Sequence, residues 1–386
     1  MPARHDPLAI GGFSMLVGVP KEIKVHEYRV GMTPTSVREL THHGHQAIVQ
    51  KGAGKEIGLL DKAYAAAGAE IVDTAEEIFA RAEMVVKVKE PQPNECRMLR
   101  PGQVLFTYLH LAPDPEQTRL LVESGAVAIA YETVTDRNGR LPLLAPMSEV
   151  AGRMSIQAGA HCLEKSQKGA GMLLGGVPGV PPAKVVVLGG GVVGTNAARV
   201  AMGMEADVTI LDKSIDRLRQ LDELFGGKLN TIYATVDNIE TYVLGADVVI
   251  GAALVPGAEA PKLVSERMVR QMRRGSVLVD VSIDQGGCFE TSRPTTHAKP
   301  TYVVHGVVHY CVANMPGAVA RTSTFALNNA TLPFVMALAD KGYKKALTDD
   351  PHLLQGLNVH AGKVTYKAVA DALGYQALDA RKAIAA

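Results

Sequence analysis

Short apolar runs alternate with amphipathic stretches along most of this chain, the pattern of strands feeding helices in a parallel sheet. Strands are expected at Met15–Val19, Gln46–Gln50, Glu70–Val72, Met84–Val88, Val104–Leu109 and Ala126–Tyr131. Between them Pro34–His43, Asp61–Ala67 and Thr74–Arg81 read as helices, and another ends at Leu120–Ser124. Pro142 and Pro146 mark a transition. Ser148 is placed to cap a helix running toward Glu164, with Val150, Met154, Ala158 and Cys162 on similar faces. A second set of strands starts at Val185 and continues through Asp207–Asp212, Ile232–Ala234, Ala246–Ile250, Ser276–Val281 and Tyr302–His305, with Lys262–Met272 as a helix. Thr322–Ala339 reads as a long helix, and short helices are expected from there to Ala386.

The most specific pattern opens the second set. Val185-Val-Val-Leu-Gly189-Gly-Gly191-Val-Val-Gly194 reads as a buried strand, a tight glycine turn and the first turn of a helix. Gly189 allows the turn, Gly191 lets backbone approach a pyrophosphate, and Gly194 lets helix and strand pack closely. The N–H groups at Val192 and Val193 then face the phosphates at a helix N-terminus. Asp212 ends the next apolar run, where a carboxylate accepts hydrogen bonds from ribose hydroxyls and repels a 2′-phosphate. NAD is therefore expected over NADP. The expected fold class is α/β: a Rossmann-type dinucleotide-binding domain at 146–316, plus a second α/β substrate domain formed by 1–145 and a C-terminal helical return at 317–386.

Composition narrows the class. The chain has 386 residues, 47% hydrophobic and 20% charged, with a formal net charge of +1, so neither a nucleic-acid footprint nor a polybasic membrane surface is expected. No run of about 20 apolar residues escapes interruption by glycine, proline or charge, so no membrane span is expected either. Residues before Met15 lack a signal-peptide layout and read as a loose extension. Cys96, Cys162, Cys288 and Cys311 lie far apart, as reduced cysteines of a cytoplasmic protein do. His42, His43 and His45 have no obvious companion acid nearby; a solvated corner is expected there, and no metal site.

Several polar groups follow apolar runs, where a crevice forms at the carboxyl ends of strands. His110 follows Val104–Leu109, where a histidine either exchanges protons in a cleft or merely caps the strand. Lys87 and Lys89 alternate with valines and should share a face, as carboxylate anchors or as solvated lysines. Arg29 follows the first strand and suits bidentate carboxylate recognition. Asp280 and Asp284 follow Ser276–Val281, with Asp284 the better candidate for a cleft and Asp280 for a buried or turn carboxylate. Asn314-Met315-Pro316 marks a domain crossover that could line the same crevice.

These segments together closely resemble the alanine dehydrogenase family. The resemblance is carried by Gly18-Val-Pro-Lys-Glu-Ile-Lys24, Glu27-Tyr-Arg29-Val, Val86-Lys-Val-Lys89-Glu-Pro91, Thr107-Tyr-Leu-His110-Leu, Pro146-Met-Ser-Glu-Val-Ala-Gly152-Arg, the glycine loop, Asp280-Val-Ser-Ile-Asp284-Gln-Gly-Gly287 and His309-Tyr-Cys-Val-Ala-Asn314-Met-Pro316. It implies reversible, NAD-dependent oxidative deamination of L-alanine to pyruvate and ammonium, in a homohexamer. It implies that Arg29 binds the substrate carboxylate, that Lys89 contacts the substrate, and that His110 and Asp284 join Lys89 in catalysis. Asp212 matches the ribose-holding residue, and Met147, Ser148, Asn314 and Met315 match segments lining the cofactor and substrate cleft. Closure about Leu141–Ser148 and Val312–Gly317 is expected to exclude water. The NAD-binding subunit of proton-translocating transhydrogenase resembles this organisation too. Retention of Lys89, His110 and Asp284 with Arg29 favours the amino-acid enzyme.

Overall fold

A computed structural model describes residues 14–253 and 260–385. The loose extension expected at the N-terminus falls mostly in residues 1–13, outside the described residues. In chain order the strands are β1 (Leu16–Val19), β2 (Gln46–Gln50), β3 (Glu70–Val72), β4 (Met84–Val86), β5 (Val104–Thr107), β6 (Val127–Ala130), β7 (Lys184–Leu188), β8 (Asp207–Asp212), β9 (Asn230–Tyr233), β10 (Val248–Gly251), β11 (Val277–Asp280), β12 (Thr301–Val304), β13 (Val307–Tyr310), β14 (Leu357–His360) and β15 (Lys363–Val364). The chain divides into two compact units, one made of Met1–Pro146 with Ala320–Ala386, the other of Met147–Val319.

The first unit is built on a sheet of order β15-β14-β6-β5-β4-β1-β2-β3. Strands β1 to β6 pair in parallel, and their order reverses between β1 and β4. A doubly wound sheet opens its crevice at such a reversal, beyond the carboxyl ends of the strands. Ile48, Val85, Leu105, Ala128 and Val359 share one core cluster in this unit. The tail corrects the expectation of helices alone. β14 and β15 form a hairpin, and β14 pairs antiparallel with β6. A four-residue run interrupted by Asn358 and His360 carries little strand pattern, yet all four residues are buried because they cover the edge of β6. The helix Ala320–Lys341 braces the loop after β1: Asn328 accepts the Thr33 N–H at 2.8 Å and donates to Gly31 O at 3.0 Å.

The second unit has the order β12-β13-β11-β10-β7-β8-β9, all parallel except β12, with its reversal between β7 and β10. Val185 and Val187 pack in one core cluster with Val208, Ile210 and Val279, while Val186 and Leu188 pack in another with Val249 and Leu278. Both faces are covered, so its central strands read as unbroken apolar runs.

Three elements differ from expectation by more than a residue or two at an end. The expected Tyr302–His305 strand is the outer half of a hairpin whose inner strand, β13, lies beside β11. The polar His305-Gly306 turn and His309 hide that second strand in the sequence. The helix expected at Lys262–Met272 starts only at Glu266, where Ser265 caps it by accepting the Met268 N–H. The helix Ala145–Cys162 starts three residues before Ser148, so Ser148 lies inside it rather than capping it. Pro146 fits that first turn because its missing N–H has no intrahelical partner to lose.

Candidate functional site

Arg29, Lys89 and His110 follow β1, β4 and β5, adjacent parallel strands of the first unit. They therefore gather at one sheet edge, beside the β1/β4 reversal. Arg29 is only 2% exposed. Its Nε donates to Glu27 Oε1 at 2.7 Å and its Nη2 to Glu27 Oε2 at 2.6 Å. Burial works against the guanidinium charge, and Glu27 more than restores it, so Arg29 is held above its ordinary pKa.

Lys87 and Lys89 do not share surroundings. β4 ends at Val86, and the Val88 N–H turns to Glu22 Oε1 at 2.7 Å. Lys87 is fully buried between Glu22 and Glu95, while Lys89 keeps partial exposure with its Nζ 3.3 Å from Glu90 Oε2. Against the upward push of burial, Lys89 and Lys24 hold the Glu90 carboxyl down to about 2.

His110 adopts a left-handed backbone, φ 49°, uncommon for a residue with a side chain. Its N–H donates to Glu132 Oε1 at 2.6 Å, and that oxygen lies 4.0 Å from its Nδ1. Its half-exposed ring stacks on Tyr108 at 5.9 Å, and the buried Tyr108 hydroxyl donates to Leu143 O at 2.6 Å. Sequence reasoning missed Glu132. Its signal was an acid two residues beyond the apolar run Val127–Ala130, at the next strand exit.

In the second unit each motif glycine has its own geometry. Gly189 has φ 106°, and a Cβ there would lie 2.8 Å from Ala252 O. A Cβ at Gly194 would lie 1.8 Å from Gly189 O, so no side chain fits between helix and turn. A Cβ at Gly191 would meet nothing within 4 Å among the described residues, leaving open space over the loop. The helix Val192–Gly203 starts there without a side-chain cap, so its first N–H groups, at Val192 and Val193, await an acceptor of another kind. Asp212 ends β8 and accepts the Gly190 N–H at 2.7 Å and the Ser214 N–H at 2.8 Å. Arg217, also missed from sequence, props the turn by donating to Gly190 O at 2.6 Å and Thr195 Oγ1 at 2.7 Å.

The helix carrying Met147 and Ser148 lies against this loop helix. A Cβ on Gly152 would come within 2.2 Å of Val193 O, and Arg153 Nε donates to Asn196 Oδ1 at 2.9 Å. At the end of β11, Asp280 is buried and accepts the N–H groups of Ser282 at 3.1 Å and Cys288 at 2.8 Å. It thereby closes the loop on which Asp284 stands exposed, in the short turn Ile283–Gln285. Burial pushes the Asp280 carboxyl above its ordinary range. Asn314 has φ 64°, with its carbonyl 3.2 Å from His297 Nε2, and Met315 is buried beside it.

The histidine corner does have a companion acid: Asp340 Oδ1 lies 2.9 Å from His45 Nε2 and 3.6 Å from His43 Nδ1, and His45 is buried rather than solvated. Its separation in sequence hid it. Among the described residues, no group of three His, Cys, Asp or Glu side chains could hold a metal, and no helix is long and apolar enough to cross a membrane.

Residues 18–151 match the family model described as alanine dehydrogenase/PNT, N-terminal domain, and residues 155–367 match its C-terminal domain. A protein from Halomonas elongata named alanine dehydrogenase is 61% identical over 96% of this chain and 100% of its own length. A solved L-alanine dehydrogenase superposes with a TM-score of 0.91 at 54% identity, covering 93% of this chain and 99% of its own. The fold extends to a transhydrogenase from Sinorhizobium meliloti, with a TM-score of 0.79 at 24% identity over 91% of this chain and 100% of that one. With both domain models matched in order and relatives alike from end to end, the chain belongs to the alanine dehydrogenase/PNT family.

Proposed function

We propose that the protein catalyses the reversible oxidation of L-alanine by NAD⁺, with consumption of water, to give pyruvate, NADH, ammonium and a proton. The observation that carries this reading is the end-to-end likeness to proteins named alanine dehydrogenase. The glycine loop fits the cofactor: open space at Gly191 and the uncapped helix start suit a pyrophosphate. Gly189, Gly194 and Asp212 set the loop's shape, and the Asp212 carboxylate suits ribose hydroxyls while repelling a 2′-phosphate. Met147, Ser148 and Met315 would flank the bound nucleotide. When bound, NAD⁺ supplies the hydride acceptor at nicotinamide C4.

The remaining work falls to the chain's own residues. Arg29, oriented by Glu27, would fix the substrate carboxylate, with Asn314 as a further substrate contact. Lys89 would supply a second positive group and polarise the pyruvate carbonyl oxygen in the reductive direction. His110, with its ring half-exposed, would move protons as water adds to the iminium and as the carbinolamine collapses. Asp284 would orient water or ammonia and offset the iminium charge. The enzyme would work as a cytoplasmic homohexamer.

The test is a substrate panel on the purified protein, followed by NADH absorbance in both directions. L-Alanine is compared with other small amino acids, pyruvate with glyoxylate, and NAD with NADP. Robust turnover of another amino acid without turnover of L-alanine overturns the assignment. His110→Ala should lower kcat by about 10²–10⁴-fold with NAD binding retained. Light scattering on the same preparation should give six times the chain mass.

A further inference from the structure

Lys87 is a fully buried cation without a part in the reaction above. Its ammonium lies 3.0 Å from Glu22 Oε2 and 2.7 Å from Glu95 Oε1, and both carboxylates are buried. Each carboxylate continues to backbone. Glu95 Oε2 accepts the Gln92 N–H at 2.8 Å, at the start of the helix Pro93–Met98. Glu22 Oε1 accepts the Val88 N–H at 2.7 Å and the Lys89 N–H at 3.3 Å. From the other side, Thr107 Oγ1 donates to Lys89 O and Tyr131 OH to Lys87 O, each at 3.0 Å. The backbone at 87–89 is thus held through both its N–H and its carbonyl groups.

Burying three charges carries a desolvation cost that a packed apolar trio would avoid. The geometry gives that cost a use. A carboxylate is a strong acceptor for backbone N–H, and one gripped on its other oxygen by a cation cannot rotate away. An apolar replacement would leave the Val88 and Lys89 N–H groups without this acceptor at the point where the chain leaves β4.

We propose that Glu22, locked by Lys87 and Glu95, is a positioning residue for Lys89: it fixes the peptide from which the Lys89 side chain departs, and so where its ammonium meets the substrate. The inference rests on the substrate role of Lys89 proposed above. Glu22 itself touches no reacting atom; its effect passes through Lys89.

A double-mutant cycle on the full-length enzyme tests it. Glu22→Gln has one oxygen to serve both the backbone and Lys87, so one of the two contacts is lost. It should raise the KM for pyruvate by about tenfold, with the KM for NADH changed by less than about twofold. In the Lys89→Ala background the same substitution should add nothing further, because the group it positions is gone. Thr107→Val removes the opposite pin with little change of volume, and carries the same cycle if Glu22→Gln does not fold; its expected rise is smaller. An effect that persists in full in the Lys89→Ala background assigns Glu22 a role in folding alone and overturns the inference. If Lys89→Ala leaves the pyruvate KM unchanged, the substrate role of Lys89 fails and the positioning role with it. If Lys89→Ala raises that KM while Glu22→Gln and Thr107→Val leave it alone, only the positioning role fails.

Discussion

His309 is a histidine whose charge the fold suppresses. Its Nδ1 donates to Val307 O at 3.0 Å, and its Nε2 lies 2.8 Å from Thr291 Oγ1, the geometry of a neutral ring accepting a hydroxyl. Burial pushes its pKa down from 6.5 to about 4. The unfolded chain therefore takes up a proton near pH 6.5, and the folded one only near pH 4. The stability this ring contributes is complete above pH 6.5 and is lost as the pH falls toward 4. His309→Gln should flatten that acid limb by about 3 kcal/mol, read from thermal melts at several pH values across the window. An unchanged limb would place the acid sensitivity elsewhere. At this scale the sequence was legible in the placement of Arg29, Lys89 and His110, each beyond the end of one of three adjacent parallel strands. It was legible too for Asp280, expected as a buried or turn carboxylate, but not for Glu22 and Glu132. Each of these last two carboxylates accepts backbone N–H at a strand exit, from a partner that lies 66 residues away for Glu22 and 22 for Glu132. An acid gives no local sign of which distant N–H it will meet.

Among the elements, the glycine turn was readable because each of its three glycines answers a local backbone demand. Those demands differ enough to be separated by experiment. Gly194→Ala forces a methyl group into the Gly189 carbonyl and should destabilise the protein by about 3 kcal/mol. Gly191→Ala meets no atom within 4 Å among the described residues, so its melting temperature should hold. Its methyl group would occupy the space assigned to the pyrophosphate, and the KM for NAD should rise by about tenfold while the KM for pyruvate stays put. If Gly191→Ala binds NAD normally, the phosphates do not lie over this turn. β14 was unreadable for the converse reason. Nothing within Leu357–His360 demands a strand; the demand comes from the edge of β6, more than 200 residues earlier in the chain. The first sheet repeats the reversed strand order of the second. Without a glycine motif after β1, its alternating apolar runs disclosed a mostly parallel sheet but not the place of the reversal.

For the whole molecule, the inserted unit 147–319 has apolar clusters on both faces of its sheet, built from its own strands and helices. The first unit has a separate cluster that spans its two chain segments, joining Leu105 and Ala128 to Val359. Separate cores predict separate melting transitions. The nucleotide loop lies entirely in the inserted unit, so NAD should raise the transition of that unit, by about 3 kcal/mol at a hundredfold excess over Kd. Two variants assign the transitions: Val359→Asp strikes the first core and Val279→Asp the second, and each should lower one transition of the calorimetric trace. NAD should then still raise the inserted unit's transition in Val359→Asp protein, while the Gly191→Ala variant should lose most of that rise with its starting stability intact. A single transition that both core variants lower together, with NAD raising the whole of it, would mean that the two cores melt as one cooperative unit despite their separate packing.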